Sequence, residues 1–427
     1  MTPEGWRRVH IGEVASRLGR GMAPTYSSSP SGVFAVNQKC VRAGRVSTDF
    51  TRAHDFAKPV KPDAVLQDGD ICINSTGTGT IGRVGLWSAP TSGIFFADTH
   101  VTVARLCPTA VVPKFFCEAL LSPPIQKEME AECFTGSTNQ IELSKSAFAG
   151  LEFLLPPLGE QQKIAAILSA VDDAIEASQA VIDQLQVVKK AMMAELLTKG
   201  LPGRHKRFKK TEIGEIPQEW NVLPAGEICT LITKGTTPAA EAQASVGDIP
   251  FLKVYNMLTN GRLDFAKTPT FIPRAVHEGE LRRSRVLPGD VLMNIVGPPL
   301  GKVAIVPSEH PEWNINQAIA LFRVGRAVLP EYLFFCLLHS GYFSWAYSRA
   351  KRTSTQLNLT LEICRGYPVP LPTLDEQRLI VDALASVDTK CAHEDLWLDA
   401  LSSVKSALLS VLLTGEVRVR VDEEDAA

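Results

Sequence analysis

Two long stretches dominate the hydrophobic pattern of this chain. From 160 to about 198, apolar residues recur at spacings of mostly four and three: Ile164, Leu168, Val171, Ile175, Ile182, Leu185, Val188, Met192 and Leu196. The same rhythm returns 216 residues later at Ile380, Leu384, Val387, Cys391, Leu398, Leu401, Val404, Leu408 and Leu412. Such spacing predicts a helix with one apolar seam, close to a heptad repeat. Pro156, Pro157 and Pro372 exclude an earlier start, because proline cannot donate the helical hydrogen bond. Acidic Glu160, Asp375 and Glu376 fall in the first turn, where they complement exposed N–H groups, and Gly200 and Gly415 follow the last apolar positions as stops. At about 1.5 Å per residue each helix is a rod of roughly 55–60 Å. A helix of that length needs a partner along it, and its own duplicate is the simplest one. Packing between the two is expected from Ile164, Leu168, Val171, Ile175, Ile182 and Leu185 against Ile380, Leu384, Val387, Leu398 and Leu401. The seam breaks at the same place in both copies, at Ser178 and Glu394. It reads there as a solvated flaw, with a register-fixing polar contact as the alternative.

The repetition reaches beyond the helices. Pro3, Trp6, Gly12, Glu13, Gly21 and Pro24 return as Pro217, Trp220, Gly226, Glu227, Gly235 and Pro238, and GDICINSTG at 69–77 returns as GDVLMNIVG at 289–297. Gly44-Arg45 matches Gly261-Arg262, and Pro113 with its aromatic successors matches Pro330. The stretches 22–68 and 239–288 are the divergent part. Within each half, short β-branched and aromatic runs alternate with Gly, Pro and Asp turns, which predicts a mixed, mostly antiparallel strand domain with one or two helices at about 113–132 and 330–348. Between the halves, 201–210 holds five Lys/Arg and no acid, and reads as a linker or exposed arm.

Composition narrows the class without deciding it. A chain of 427 residues with 45% hydrophobic content is long enough for several folded domains. It has no run apolar enough to span a bilayer and no signal-peptide core at its start, so a cytoplasmic location is expected. Nine cysteines without CxxC spacing read as reduced core residues, and no metal site is expected. The net charge of −2 says little by itself. The acid is concentrated late: residues 372–427 hold five basic and twelve acidic side chains, which leaves room for basic patches elsewhere.

Catalytic motifs are missing. Gly77-Thr-Gly79-Thr-Ile-Gly82 fits GxGxxG, but Arg83-Val-Gly-Leu-Trp after it is strand-like, where a dinucleotide site needs a helix. A tight glycine loop approaching a phosphate or base edge, with Thr78, Thr80 and Arg83, and a plain hairpin both remain open. Asn294-Ile-Val-Gly-Pro-Pro-Leu lacks the order and the aromatic residue of the Asn-Pro-Pro-aromatic motif of amino-methyltransferases. Asp388-Thr-Lys390 lies within a helix, against a nuclease centre. The chain reads as non-enzymatic. What remains is polar and basic side chains in the divergent stretches and their borders: Asn37, Gln38, Lys39, Arg42 and Arg45 first, then Lys253, Tyr255, Asn256, Arg262, Arg282, Arg283, Arg285 and Lys302. Asn and Gln pair two-toothed with adenine and Arg or Lys with guanine, while other cations hold phosphates. Ser137, Thr138, Ser354 and Thr355 are candidates for phosphate contact, or are turn signals.

Together, the two Leu-Pro-x-Leu-x-Glu-Gln helices, FKKTEIGEIPQEW at 208–220 and the Gly-Asp…Gly-x-x-Gly segment resemble the specificity subunit of type I restriction–modification systems. The resemblance covers nearly the whole chain. It implies an α+β protein in which two mixed α/β target recognition domains alternate with two long antiparallel coiled-coil helices, a pseudo-twofold internal duplication. The boundaries expected are 1–156 and 217–371 for the recognition domains and 157–200 and 372–415 for the helices, with a basic linker at 201–216 and an acidic tail at 416–427. It also implies that each domain reads half of a bipartite, asymmetric double-stranded DNA site while the helices set the spacer. The expected partners are two modification subunits, which use S-adenosylmethionine to methylate adenine, and motor-nuclease restriction subunits. No cofactor is expected in this chain. A duplicated scaffold without DNA binding and part of a self-contained methyltransferase are the alternatives.

Overall fold

The structure is a computed structural model that describes residues 2–29, 32–136, 141–352 and 356–421. It divides into two compact units, one of residues 1–180 with 396–427 and one of 181–395. Both divisions fall inside the predicted helices, which run from Leu158 to Lys199 and from Leu374 to Leu412. The first starts one residue after Pro157 and ends at Gly200, whose φ of +75° only glycine adopts without strain.

In the first unit a six-stranded sheet carries, in order, Ala15–Arg20, Val101–Leu106, Ile71–Asn74, Val84–Leu86, Gly44–Val46 and Val41–Arg42. Its pairs are antiparallel except Gly44–Val46 with Val84–Leu86. A smaller sheet sets Val33–Val36 between Arg52–Ala53 and Ile94–Ala97, parallel to the latter. The second unit has a four-stranded sheet of Cys229–Lys234, Ile319–Val324, Val291–Asn294 and Val303–Ile305. Beside it, Ile249–Leu252 runs parallel to Trp313–Ile315, with Phe271–Ile272 and Arg285–Val286 at the edges. The predicted helices appear as Pro113–Leu121 with Pro123–Glu128, and Pro330–Leu338 with Ser340–Ser348. Proline opens three of these four, where its missing N–H costs nothing.

The ends of the long helices are built into the domain cores. Ile164, Ala165, Leu168 and Leu412 share the first unit's core with Trp6, Phe116 and Phe153. Met193, Leu196, Leu197, Ile380, Val381 and Leu384 share the second unit's core with Trp220, Tyr332 and Tyr367. Among the remaining seam positions Ile182 and Val387 are buried, Val171, Ile175, Leu185, Leu398 and Leu401 are half-buried, and Val188 and Val404 are exposed. The seam is therefore driest at its ends, against the domains. Ser178 corrects one expectation: it is buried and no solvated flaw.

Residues 201–216 also depart from the expected linker or arm. Phe208–Thr211 pairs with Gly214–Pro217 as a hairpin, and Ile213 and Ile216 are buried in the second unit's core. The five cations of 201–210 hid a short amphipathic strand pair. Cys40, Cys72, Cys117, Cys133, Cys336 and Cys364 are buried, and all nine cysteines are free thiols. Among the described residues no helix is long and apolar enough to cross a membrane.

Candidate nucleic-acid interface

Each unit contains the same buried polar skeleton. In the Gly-Asp turn of the first, Gly69 has φ +84° and Asp70 accepts from the Gln67 N–H at 2.8 Å. Arg105 closes on that carboxylate two-toothed, Nε at 2.8 Å and Nη2 at 2.7 Å, and donates to the Val65 carbonyl. The second repeats this with Asp290, Leu287 N–H and Arg323, whose distances to the carboxylate are 2.9 and 2.7 Å. Planar two-toothed pairs of this kind are strong and directional, and they fix the strands from which the variable loops leave.

The Glu-Gln pair of each helix start does more than complement the helix terminus. Gln161 accepts from Val112 N–H and donates to the Ala110 and Pro156 carbonyls, and Gln377 does the same with Leu329, Ala327 and Pro372. Glu160 is buried and takes the Trp6 indole N–H at 3.0 Å together with Arg418. Glu376 takes the Trp220 N–H at 3.3 Å and the His205 ring at 2.8 Å. These side chains bolt a domain to the start of its helix. Spacing identified the motif, but the partners lie far along the chain and no local pattern points to them.

The loops on this skeleton hold the candidate DNA contacts. In the first unit Gly77, Gly79 and Gly82 all have positive φ, and strand Val84–Leu86 follows where a dinucleotide site would have a helix. Gln38 Nε2 donates to Thr76 O at 2.6 Å, Thr80 to the Thr76 and Gly77 carbonyls, and Arg83 to Gly79 O at 2.9 Å. These three brace the loop, and Thr78 stands exposed at its tip. Asn37 is folded into its own turn, accepting from Lys39 N–H and donating to Phe50 O, while Arg42 lies 4.4 Å over the Phe50 ring. Lys39 is exposed, and Arg45 is paired with Glu176 of the long helix. Sequence reasoning passed over Arg52, whose guanidinium stacks 3.4 Å from the Tyr26 ring, and Phe56, which is 77% exposed. Both lie in the divergent stretch, the only signal that marked them.

In the second unit Asn256 must be withdrawn as a base contact. It is fully buried, accepting from Lys253 N–H and donating to the Asp264 and Thr268 carbonyls, so it shapes the loop from inside. Tyr255 beside it is exposed, with its hydroxyl 3.2 Å from Thr270 Oγ1 and the Lys253 ammonium over its ring. Arg262 is 3.6 Å from Asp395 on the long helix. Arg282 and Arg283 are exposed on one short turn, Arg283 donating to Thr236 Oγ1 at 3.0 Å. Arg285 is drawn inward, its Nε 3.1 Å from His277 Nε2 and its Nη2 3.9 Å from Glu312. Lys302 is half-buried, and its backbone N–H is taken by buried Asn294. Asn294 thus braces the second glycine loop and has no catalytic setting. Ser137, Thr138, Ser354 and Thr355 lie outside the described residues. Among the described residues no three His, Cys, Asp or Glu converge as metal ligands.

This arrangement of a repeated skeleton with unlike loops can be compared with known proteins. The family described as the type I restriction modification DNA specificity domain matches at residues 3–187 and again at 217–395. The chain belongs to this family. The type I restriction enzyme MjaVIII specificity subunit of Methanocaldococcus jannaschii is 25% identical over 98% of this chain and 94% of its own length. The EcoBI specificity subunit of Escherichia coli is 24% identical, over 88% and 78%. Two solved chains share the fold: one from a study of complex assembly and conformational transition in a type I R–M system, and the S subunit from M. genitalium. The first has a TM-score of 0.58 at 18% identity, covering 98% of this chain and 100% of that one. For the second the score is 0.59 at 17% identity, covering 97% and 99%. Membership makes the chain a non-catalytic specificity component of α+β fold, in which recognition of a DNA target is the task its family implies.

Proposed function

We propose that this specificity-family chain reads an asymmetric, bipartite double-stranded DNA site, one half with the loops of each unit. The observation that carries the reading is the contrast within the pair. Asp70/Arg105 and Asp290/Arg323 are superimposable in chemistry, whereas the loops they support carry different polar side chains. A common frame with unlike outfits is what two readers of different half-sites require. In this reading the halves are a pseudo-twofold duplication and the long helices pair antiparallel as a ruler. The first has 42 residues. At about 1.5 Å per residue it exceeds one turn of DNA, about 34 Å.

The partners follow from the same reading. Two modification subunits, carrying S-adenosylmethionine, methylate adenine at the site this chain selects, and restriction subunits act in the full complex. Leu396 and Trp397, at 67% and 57% exposure on the second long helix, suit the apolar docking that modification subunits need.

Lengthening both helices by the same number of residues tests the ruler. Methylation mapping then returns an unchanged pair of half-sites with a different gap, and recovery of the original gap would sink the idea. DNA binding that weakens steeply with added salt separates a reader from a protein scaffold, because phosphate contacts release counterions.

A further inference from the structure

At one place the two units fill equivalent positions with opposite chemistry. In the first, Val65 bridges Phe96, and Ala64, Phe96, Val33 and Ala35 form a small apolar core. In the second, Arg285 pairs with Asn314, and Ser284, Asn314 and His277 are all fully buried. The correspondence is set by the skeleton, since Arg105 donates to the Val65 carbonyl and Arg323 to the Arg285 carbonyl.

The polar version links its side chains in series. Ser284 Oγ donates to Asn314 Oδ1 at 2.9 Å, and that oxygen also accepts the Ile315 N–H. The carboxamide of Asn314 is thereby oriented, with Nδ2 aimed at His277 Nδ1 at 3.0 Å and at the Leu281 carbonyl. Burial first, then Arg285 and Arg274, push His277 below the usual imidazole range against the opposing pull of Glu312, so the ring is neutral near pH 7. A neutral imidazole has one acceptor nitrogen. With the proton on Nε2, Nδ1 accepts from Asn314 and the ring N–H faces Glu312 Oε2 at 3.5 Å, so that Arg285 Nε–H loses its acceptor on the ring. With the proton on Nδ1, Nε2 accepts from Arg285. Buried polar groups cost free energy unless every member is satisfied, and an apolar filling of the same place is available in the other unit. Each filling follows a short turn, Pro62–Ala64 in the first unit and Arg282–Ser284 in the second, but only the second turn presents two arginines, Arg282 and Arg283.

We infer that His277, Asn314 and Ser284 are positioning residues that set the Arg282–Arg283 turn as a base-reading element of the second domain. The inference rests on the DNA-reading function proposed above and goes beyond it by naming which element reads and what holds it. Two cations on a short turn fit guanine N7 and O6 in the major groove, provided their backbone is fixed.

The test uses the full chain co-produced with its modification partner and maps methylated sites for wild type, His277→Leu, His277→Gln and Arg282→Gln/Arg283→Gln. The leucine variant is expected to lose roughly 10-fold or more in discrimination at one or two positions of the second half-site, the scale of one two-toothed base contact. Its first half-site and gap stay unchanged, and the glutamine variant, which keeps a hydrogen-bonding side chain, retains most of the preference. The paired arginine variant is exposed, so it folds and loses discrimination at the same positions. Unchanged preference in the arginine variant overturns the inference, as does equal relaxation of both half-sites in the leucine variant. If the wild-type complex itself yields no bipartite motif, the proposed function fails instead, which is a different result.

Discussion

The docking of each unit onto the long helices shows how one plan is executed in two ways. In the first unit Lys114 and Glu118 of helix Pro113–Leu121 meet Asp172 and Lys405 of the long helices. Lys114 is 2.5 Å from Asp172 and 2.6 Å from Glu118, and Lys405 is 2.7 Å from Asp172. Burial would push the Asp172 carboxyl up, but the hydrogen bonds from both lysines outweigh it and hold it below the usual range. In the second unit the matched positions are Glu331, Phe335, Asp388 and Lys189. Only the Lys189–Asp388 pair survives, at 2.5 Å, and the domain offers the Phe335 ring 5.5 Å from the lysine in place of a carboxylate. The four-charge cluster, built around buried Glu118, gives direction at a desolvation cost, whereas the pair with a ring avoids most of that cost. The skeleton of Asp, Arg, Trp and Gln is common to both, so the units differ where they meet the helices and where they would meet DNA.

The shared skeleton gives the largest expected effects, and they should be equal on the two sides. Asp70→Ala or Asp290→Ala leaves a partly buried arginine without its carboxylate and should cost about 3–5 kcal/mol in either unit. Denaturant unfolding followed by a probe in each unit checks this, and a loss confined to one side breaks the equivalence. Docking should instead be unequal. Lys405→Met leaves Glu118 and Asp172 sharing one lysine and should cost about 3 kcal/mol. Lys189→Met, beside a more exposed Asp388, should cost under about 1 kcal/mol. Equal losses for these two would mean that the charge cluster is no stronger a bolt than the pair.

Smaller again is the removal of one indole donor. Trp6→Phe and Trp220→Phe each strip a hydrogen bond from a buried glutamate and should lose roughly 1–2 kcal/mol, read from the midpoint of unfolding. Arg418 and His205 keep some compensation in place on the respective sides. The smallest effect is acid sensitivity. His277, facing Arg274, Arg285 and Glu312, is held below its unfolded value mainly by burial. A depressed folded value means that its contribution is present above the unfolded pKa and is lost as pH falls through the folded one. As pH falls from neutral through the folded value, the protection factors of the amides around 277–285 and 313–315, corrected for intrinsic exchange, should therefore drop. Protection factors there that stay constant on acidification to the point of unfolding would contradict the neutral, buried ring.

Much of this plan was legible in the sequence because it is periodic or repeated. Helix bounds follow from the seam and its flanking prolines and glycines, and the two matching Gly-Asp turns mark the frame. The roles that escaped depend on distance along the chain. Glu160 looked like a helix-start acid, yet it meets Arg418, and Asp70 shows its purpose only once Arg105 is folded onto it. Asn256 failed as a base contact for a related reason. A polar residue in a variable loop reads the same whether it faces solvent or, as here, caps the loop from within. Ser178 is the same lesson on a helix, since composition alone does not say that a polar seam position is dry.

Two unlike readers on one frame should select a bipartite site. The most direct measurement is single-molecule methylation mapping of DNA from cells producing this chain with its modification partner. One asymmetric motif with a fixed gap and methyladenine in both halves is the expected result. A short continuous motif, or no motif at all, would contradict it.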